Sequence, residues 1–215
     1  QMGVESIAVC FLHAYANPEH ERRTLALLSE HFPDLPICRS SEVLAEHREY
    51  ERFSTTALNA YVAPRMSRYL ARLRERLDEQ GLRVSPEIMS SSGGSWPFEE
   101  MARLPVNSML SGPAGGVIGA LELARQLDIE NLITYDMGGT STDTCLIMDG
   151  QYPLAAEGFI GGLPNRAPQI EINTVGAGGG SLAYLDDGGF LNVGPRSAGA
   201  VPGPACYGRG GTKPT

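Results

Sequence analysis

The sequence is short of several features that would indicate a function outright. It has no excess of positive charge: 17 Lys and Arg stand against 25 Asp and Glu, for a net charge of -8. The basic stripe that follows a nucleic-acid backbone or an anionic membrane is therefore missing. No run approaches the ~18 apolar residues of a membrane span, and no basic segment followed by an apolar one opens the sequence. Cysteine is scarce: Cys10, Cys38, Cys145 and Cys206 include no C-x-x-C pair. Reduced thiols in a cytoplasmic protein are the expectation, with Cys206 read as a packed thiol because nothing nearby supplies a base. His13, His20, His31 and His47 lack metal-ligand spacing. The P-loop, the H-E-x-x-H helix, the G-x-S-x-G elbow and the dinucleotide G-x-G-x-x-G are all absent.

What is present reads as α/β. An apolar run from Glu5 to Tyr15 predicts a buried strand. "ANPEHERRTLALLSEHF" predicts a helix, with Asn17 as cap and Pro18 in its first turn. "LPICRSSEV" predicts a second strand, which completes a strand–helix–strand layer. The longest helical signal runs from Glu49 to Leu82. Val62, Met66, Tyr69, Leu70, Leu73 and Leu77 mark its apolar face, Gly81 stops it, and Pro64 divides it in two or starts the second half. "SPEIMSSSGGSW" reads as a strand entering a loop, either a set of small donors for a ligand or a flexible surface loop. A helix from Ser111 with Val117, Leu121 and Ala124 on one face precedes a strand from Ile129 to Tyr135. Beyond Gly150 the texture changes to short strands and glycine turns, with a hairpin at "SLAYLDDGGFLNVG".

The chemistry concentrates in "TYDMGGTSTDTCLIMDG", Thr134 to Gly150. It reads as strand, tight polar turn and strand, at one edge of a mixed sheet. Successive N–H groups of a glycine turn form an anion-binding concavity. Gly138 and Gly139 permit close approach and unusual φ values, and Thr140, Ser141 and Thr142 add hydroxyl donors. A carboxylate repels phosphate, so Asp136 and Asp143 make sense through a divalent cation or an oriented water. A polar turn bonded to itself would explain the glycines but not the two bordering carboxylates.

The order of these parts resembles the second half of the actin, hexokinase and heat-shock-chaperone ATPase fold, a ribonuclease H-like architecture. "SGPAGGVIGALELA" stands at the place of its small-residue helix and "YDMGGTSTDTCLI" at that of its "phosphate 2" hairpin. More narrowly, "FLHAYANPEHE", "SSSGG", "SGPAGG", "DMGGTSTD", "TVGAGGGS" and "GPRSAGAVPGPACYGRGG" resemble, in this order, the hydantoinase A/oxoprolinase family of ATP-dependent hydantoinases, 5-oxoprolinases and ketone carboxylase subunits. Members of that family also carry an earlier phosphate 1 turn, which this sequence lacks, so an internal fragment is expected. Residues 1–95 would end a first lobe and 96–215 begin a second.

The resemblance implies ATP and Mg²⁺ as cofactors and phosphoryl activation of a cyclic amide. Asp136 would hold the metal or its water, with Asp143 a second metal or water ligand or a cap of the turn. Gly138, Gly139, Thr140 and Ser141 would grip phosphate oxygens. Gly178, Gly179 and Gly180 of "GAGGGS" would line the nucleotide, or else form a tight packing corner. Arg196 and Arg209 are anion contacts or plain surface. A hydantoinase B-type subunit or domain is the implied partner, in an oligomer. A ketone carboxylase subunit and a non-catalytic assembly domain are the alternative readings.

Overall fold

The computed structural model describes residues 3–215. The first elements are β1 (Ile7–Val9), α1 (Glu19–His31), β2 (Ile37–Arg39), α2 (Ser40–Val43), α3 (Glu49–Glu79), β3 (Glu87–Met89), β4 (Ser95–Pro97) and α4 (Phe98–Arg103). Then come α5 (Ser111–Gln126), β5 (Leu132–Met137), β6 (Thr142–Ile147), β7 (Leu154–Ala155), β8 (Gly158–Ile160), β9 (Leu163–Asn165), β10 (Gln169–Ile170), β11 (Asn173–Val175), β12 (Ser181–Leu185) and β13 (Leu191–Ser197). The chain divides into two compact units. One comprises 1–114 with 154–170, the other 115–153 with 171–215.

In the first unit β1 and β2 pair in parallel, with α1 as the crossover. The Asn17 carboxamide accepts the N–H of Glu19 at 3.1 Å and satisfies one orphan donor at the start of α1. Helix α3 organises the core. Leu58 packs with Val106 and Ala167, and Leu70 packs with Phe98 and Met101, with Met66, Leu73 and Leu77 alongside. Tyr69 falls outside this face and is exposed. Pro64 neither breaks the helix nor starts a second one; α3 is continuous across it. Proline removes one helical bond and crowds the preceding turn. Burial of Leu58, Ala60 and Ala63 before it and of Leu70 after it holds both halves in line. The "SSSGG" loop is anchored at its first two residues. Ser90 and Ser91 are buried, and Ser91 bonds through its N–H to Asn107 O, through its carbonyl to Ile170 N and through its hydroxyl to Leu110 N.

The same unit buries two charged side chains that hydrophobic patterning could not locate, Glu21 and Arg52, both 0% exposed. Arg52 donates to Phe11 O at 2.7 Å and Glu46 O at 3.0 Å and pairs with Glu49. Glu49 in turn accepts the N–H of His13, whose φ is 58°. Glu21 accepts from Phe11 N, Ser40 Oγ and Ser41 N at 2.9, 2.6 and 2.8 Å. These charges hold the turn after β1 from three sides. Burial by itself raises the Glu21 carboxyl pKa, but the bonds from Ser40, Ser41 and Phe11 outweigh it and hold the group below the ordinary carboxylate value.

In the second unit β11, β6 and β5 form a three-stranded sheet in that order. Both pairings are antiparallel, so the sheet is not mixed. Val117, Leu121 and Ala124 of α5 are buried, as their spacing predicts. β12 and β13 form the predicted hairpin, and the Asp186 carboxylate accepts the N–H groups of Gly188 and Phe190 in its turn.

Two outcomes follow for the first unit. Arg52→Ala removes the charge partner of Glu49 and the donor to two carbonyls and is expected to lower stability by ~3–5 kcal/mol. Arg48→Ala, which removes an exposed pair with Glu51, is expected to cost at most ~1 kcal/mol by denaturant titration. For Glu21, the lowered folded pKa means its stabilisation is full above the ordinary carboxylate pKa and is lost as pH falls through the folded value. Melting curves of wild type and Glu21→Gln across acid pH are expected to converge downward in pH; a constant gap would place the effect elsewhere.

Candidate functional site

β5 and β6 pair in register, with Leu132 opposite Ile147, Thr134 opposite Cys145 and Asp136 opposite Asp143. Alternation along a strand puts these six on one face. Helix α5 adjoins that face: a Cβ added at Gly116 would lie 3.9 Å from Asp136 Oδ2. The opposite face carries Ile133, Tyr135, Met137 and Leu146, all exposed. The Asp136 carboxylate is exposed and accepts no hydrogen bond among the described residues, whereas half-buried Asp143 accepts from Thr174 Oγ1 at 2.6 Å.

The turn between the strands is closed by Gly138 N donating to Ser141 O at 2.9 Å. The "GAGGGS" loop packs directly on it. Gly179 N donates to Gly138 O at 2.9 Å and Gly180 N to Gly139 O at 2.7 Å. Thr142 Oγ1 donates to Ala177 O at 2.6 Å, and Gly178 N donates to Ser181 Oγ at 2.8 Å. A Cβ on Gly178 would lie 2.7 Å from both Gly138 O and Thr140 N, and one on Gly180 would lie 2.7 Å from Gly139 O. These two positions require glycine because one backbone lies on another.

The turn's own glycines behave differently. A Cβ on Gly138 would come no closer than 3.7 Å to Ser141 O, and one on Gly139 would meet nothing within 4 Å. Neither has a positive φ, contrary to the expectation of an unusual backbone. The space beside Gly139 is open. In a trans peptide the N–H points opposite to the C=O. With the carbonyls of Gly138 and Gly139 turned toward the loop, the N–H groups of Gly139 and Thr140 point away from it. Neither donates a hydrogen bond among the described residues.

Asp136, Gly138, Gly139, Thr140, Ser141, Asp143 and Gly178 to Gly180 thus gather around one turn. Thr142, Thr174 and Ser181 belong to the same cluster. Thr142 lies within the motif, but Thr174 and Ser181 reach the turn only through the pairing of β11 with β6, which no local pattern announces. Arg196 and Arg209 are exposed and lie over the rings of Tyr184 and Tyr207, at 5.4 and 5.9 Å. Cys206 is exposed rather than packed, because the glycine- and proline-rich coil around it offers no layer of large side chains. Burial chiefly pushes the Cys10 thiol up to about 11 and also raises Cys38 and Cys145, so these three stay protonated at neutral pH.

No group of three or more His, Cys, Asp or Glu able to hold a metal occurs among the described residues. Mg²⁺ does not need one: it keeps several waters and takes one or two carboxylates with phosphate oxygens. An open Asp136 opposite Asp143, beside outward N–H groups, fits a magnesium-bound phosphate.

This turn, with its bordering aspartates and glycine buttress, lies inside a recognisable class. The chain belongs to the hydantoinase/oxoprolinase family, whose sequence profile matches residues 52–215. It is 42% identical over 212 residues to caprolactamase subunit alpha from Pseudomonas jessenii, a match of 99% of this chain and 30% of that protein. It is 39% identical over 210 residues to 5-oxoprolinase 1 from Arabidopsis thaliana, covering 97% of this chain and 16% of that one. The crystal structure of the ATP-dependent caprolactamase from Pseudomonas jessenii superposes with a TM-score of 0.84 at 41% identity, over 98% of this chain and 30% of that one. Nucleotide-free acetone carboxylase superposes with a TM-score of 0.77 at 31% identity, over 98% and 30%. The chain spans about a third or less of the length of these relatives.

Glycine roles divide sharply here. Gly178→Ala is expected to destabilise the protein by ~1–3 kcal/mol through overpacking. Gly139→Ala is expected to melt within ~0.5 kcal/mol of wild type. Thermal melts of the two variants side by side check this, and equal melts would mean the loop does not press on the turn as described.

Proposed function

We propose that this chain supplies the phosphate-gripping wall of an ATP-dependent enzyme that opens cyclic amides. The observation that carries the reading is the pair of outward N–H groups at Gly139 and Thr140, beside open space and two facing carboxylates. Backbone donors fixed in direction stabilise developing phosphate charge without reorganising. Thr140 and Ser141 add hydroxyls at the same turn. Asp136, with Asp143 opposite, holds Mg²⁺ or its water. ATP, when bound, supplies the phosphoryl group that converts an unreactive amide oxygen into a leaving group. The turn's task is to hold the transferring phosphate in line, which is much of phosphoryl-transfer catalysis.

The cyclic-amide assignment rests on similarity to the caprolactamase subunit and the 5-oxoprolinase. Likeness to acetone carboxylase supports a second reading, a ketone carboxylase subunit with the same phosphoryl chemistry. Within this proposal the fold is actin- and hexokinase-like. The partner is a hydantoinase B-type subunit or domain, the assembly is oligomeric and the location is cytoplasmic.

The test uses the full-length protein with its partner. ATP hydrolysis is followed with caprolactam, 5-oxoproline and hydantoin, and with acetone plus bicarbonate. Stimulation by a cyclic amide supports the first reading, and a bicarbonate requirement supports the second. No stimulation by any of them would overturn both. In the same protein Asp136→Asn is expected to lower turnover by ~10²–10³ without lowering the melt. Near-normal turnover would make Asp136 structural.

A further inference from the structure

A glycine turn does not hold a direction by itself. Glycine has the most backbone freedom to lose, and only one hydrogen bond, Gly138 N to Ser141 O, closes this turn internally. Yet an anion site works through donors fixed before the charge arrives. The fixing comes from outside the turn, and it comes from one continuous stretch.

We propose that Thr174–Ser181 is the positioning element of the anion turn, holding its carbonyls inward so that the Gly139 and Thr140 N–H groups stay outward for phosphate. Gly178 to Gly180 thereby act on the nucleotide through the turn. Thr142 and Ser181 are the positioning residues that lock the stretch in place. The inference rests on the nucleotide reading above and adds what shapes the site.

The contacts follow one another along the chain. Thr174 Oγ1 orients the Asp143 carboxylate at 2.6 Å. The Ala177 carbonyl accepts Thr142 Oγ1 at 2.6 Å. Gly178 covers the Gly139–Thr140 peptide where a Cβ would lie 2.8 Å from Gly139 C. Gly179 N and Gly180 N then take the Gly138 and Gly139 carbonyls. The stretch is itself fixed. Ser181 is fully buried, accepts from Gly178 N and donates its own N–H to Gly178 O at 2.9 Å, and Ala198 N holds Gly180 O at 2.7 Å. Among the described residues Thr142, 4% exposed, is the one turn-side side chain bonded to the loop backbone. Without its hydroxyl the Ala177 carbonyl loses this donor, and the stretch loses a side-chain anchor to β6 just before the glycines that face the turn.

The experiment needs a variant that separates positioning from plain stability, and the same strand supplies one. Thr144 Oγ1 donates to Asn173 O at 3.2 Å. It too joins a β6 hydroxyl to a backbone carbonyl, but one just before the proposed stretch. In the full-length protein, the dissociation constant of the Mg²⁺ complex of a non-hydrolysable ATP analogue, which keeps the third phosphate, is measured by calorimetry, and melts are recorded in parallel. Thr142→Val is expected to weaken the analogue about tenfold, the effect of one lost hydrogen bond at a preorganised site. Thr142→Ser is expected to restore wild-type affinity. Thr144→Val is expected to lower the melt comparably while leaving analogue affinity at the wild-type value. Should Thr142→Val fail to fold, Ser181→Ala, which removes the acceptor of Gly178 N, is expected to give the same loss. Equal analogue affinity in wild type, Thr142→Val and Ser181→Ala, or equal losses in Thr142→Val and Thr144→Val, overturns this inference alone. A wild-type protein that does not bind the analogue overturns the nucleotide reading and this inference with it.

Discussion

Gly178 lies against the peptide joining Gly139 to Thr140, with no room for a Cβ between the two backbones. Much of the second unit's chemistry depends on that contact. The loop can lie so close only because glycine recurs at 178 and 180, and the closeness lets Gly179 N and Gly180 N reach the turn's carbonyls. Once those carbonyls are taken, the geometry of the trans peptide directs the N–H groups the other way. One steric allowance thus fixes four dipoles. The same packing follows directly from β11 alongside β6, which brings Thr174 within reach of Asp143.

The protein handles carboxylates in two opposite ways. In the first unit Glu21 and Glu49 are surrounded by donors. Glu21 accepts from two backbone N–H groups and a hydroxyl, and Glu49 is paired with buried Arg52 and bonded to His13 N. A carboxylate so saturated has little capacity left for a ligand, and its work is to hold the turn after β1. In the second unit Asp136 faces Asp143 across paired strands, and among the described residues Thr174, on the far side of Asp143, is the one side-chain donor to either carboxylate. Like charges directly opposite one another destabilise a sheet. Placing them beside an open turn retains acceptor capacity that the fold does not consume, and a hard cation is the partner such oxygens suit.

The legible parts of the sequence were those written in local periodicity. The face of Val117, Leu121 and Ala124, the β12–β13 hairpin and the strand–turn–strand around Asp136 each follow from spacing within a dozen or so residues. What stayed hidden depends on contacts distant along the chain. Arg52 and Glu21 look like solvated helix charges until Phe11, Ser40 and Glu49 are brought to them. Pro64 looks like a break until both flanking turns are buried. Ser91 looks like part of a loose loop until Asn107 and Ile170 take its backbone groups. In the site, the turn's residues were readable as a motif. The division of labour between Gly139, which the fold leaves free, and Gly178, which the fold requires, could not be read from two identical letters.

That division bears on how one turn can serve relatives with different substrates. Two of them are ATP-dependent, one a caprolactamase and the other an acetone carboxylase, and their names point to an amide and to a ketone. A site made of two backbone N–H groups, adjacent hydroxyls and a pair of carboxylates recognises tetrahedral oxygens and a hard cation. It contains no apolar wall that would distinguish a lactam from a ketone. Discrimination between substrates needs side chains that touch the reacting molecule, and backbone donors cannot vary from one protein to the next. On the proposed reading, the turn and its buttress carry the step these enzymes share, and the choice of carbonyl compound lies with other residues. The physical requirement on Thr174–Ser181 is then rigidity rather than specificity, which suits a stretch built from four glycines, two hydroxyls, an alanine and a single larger side chain, Val175.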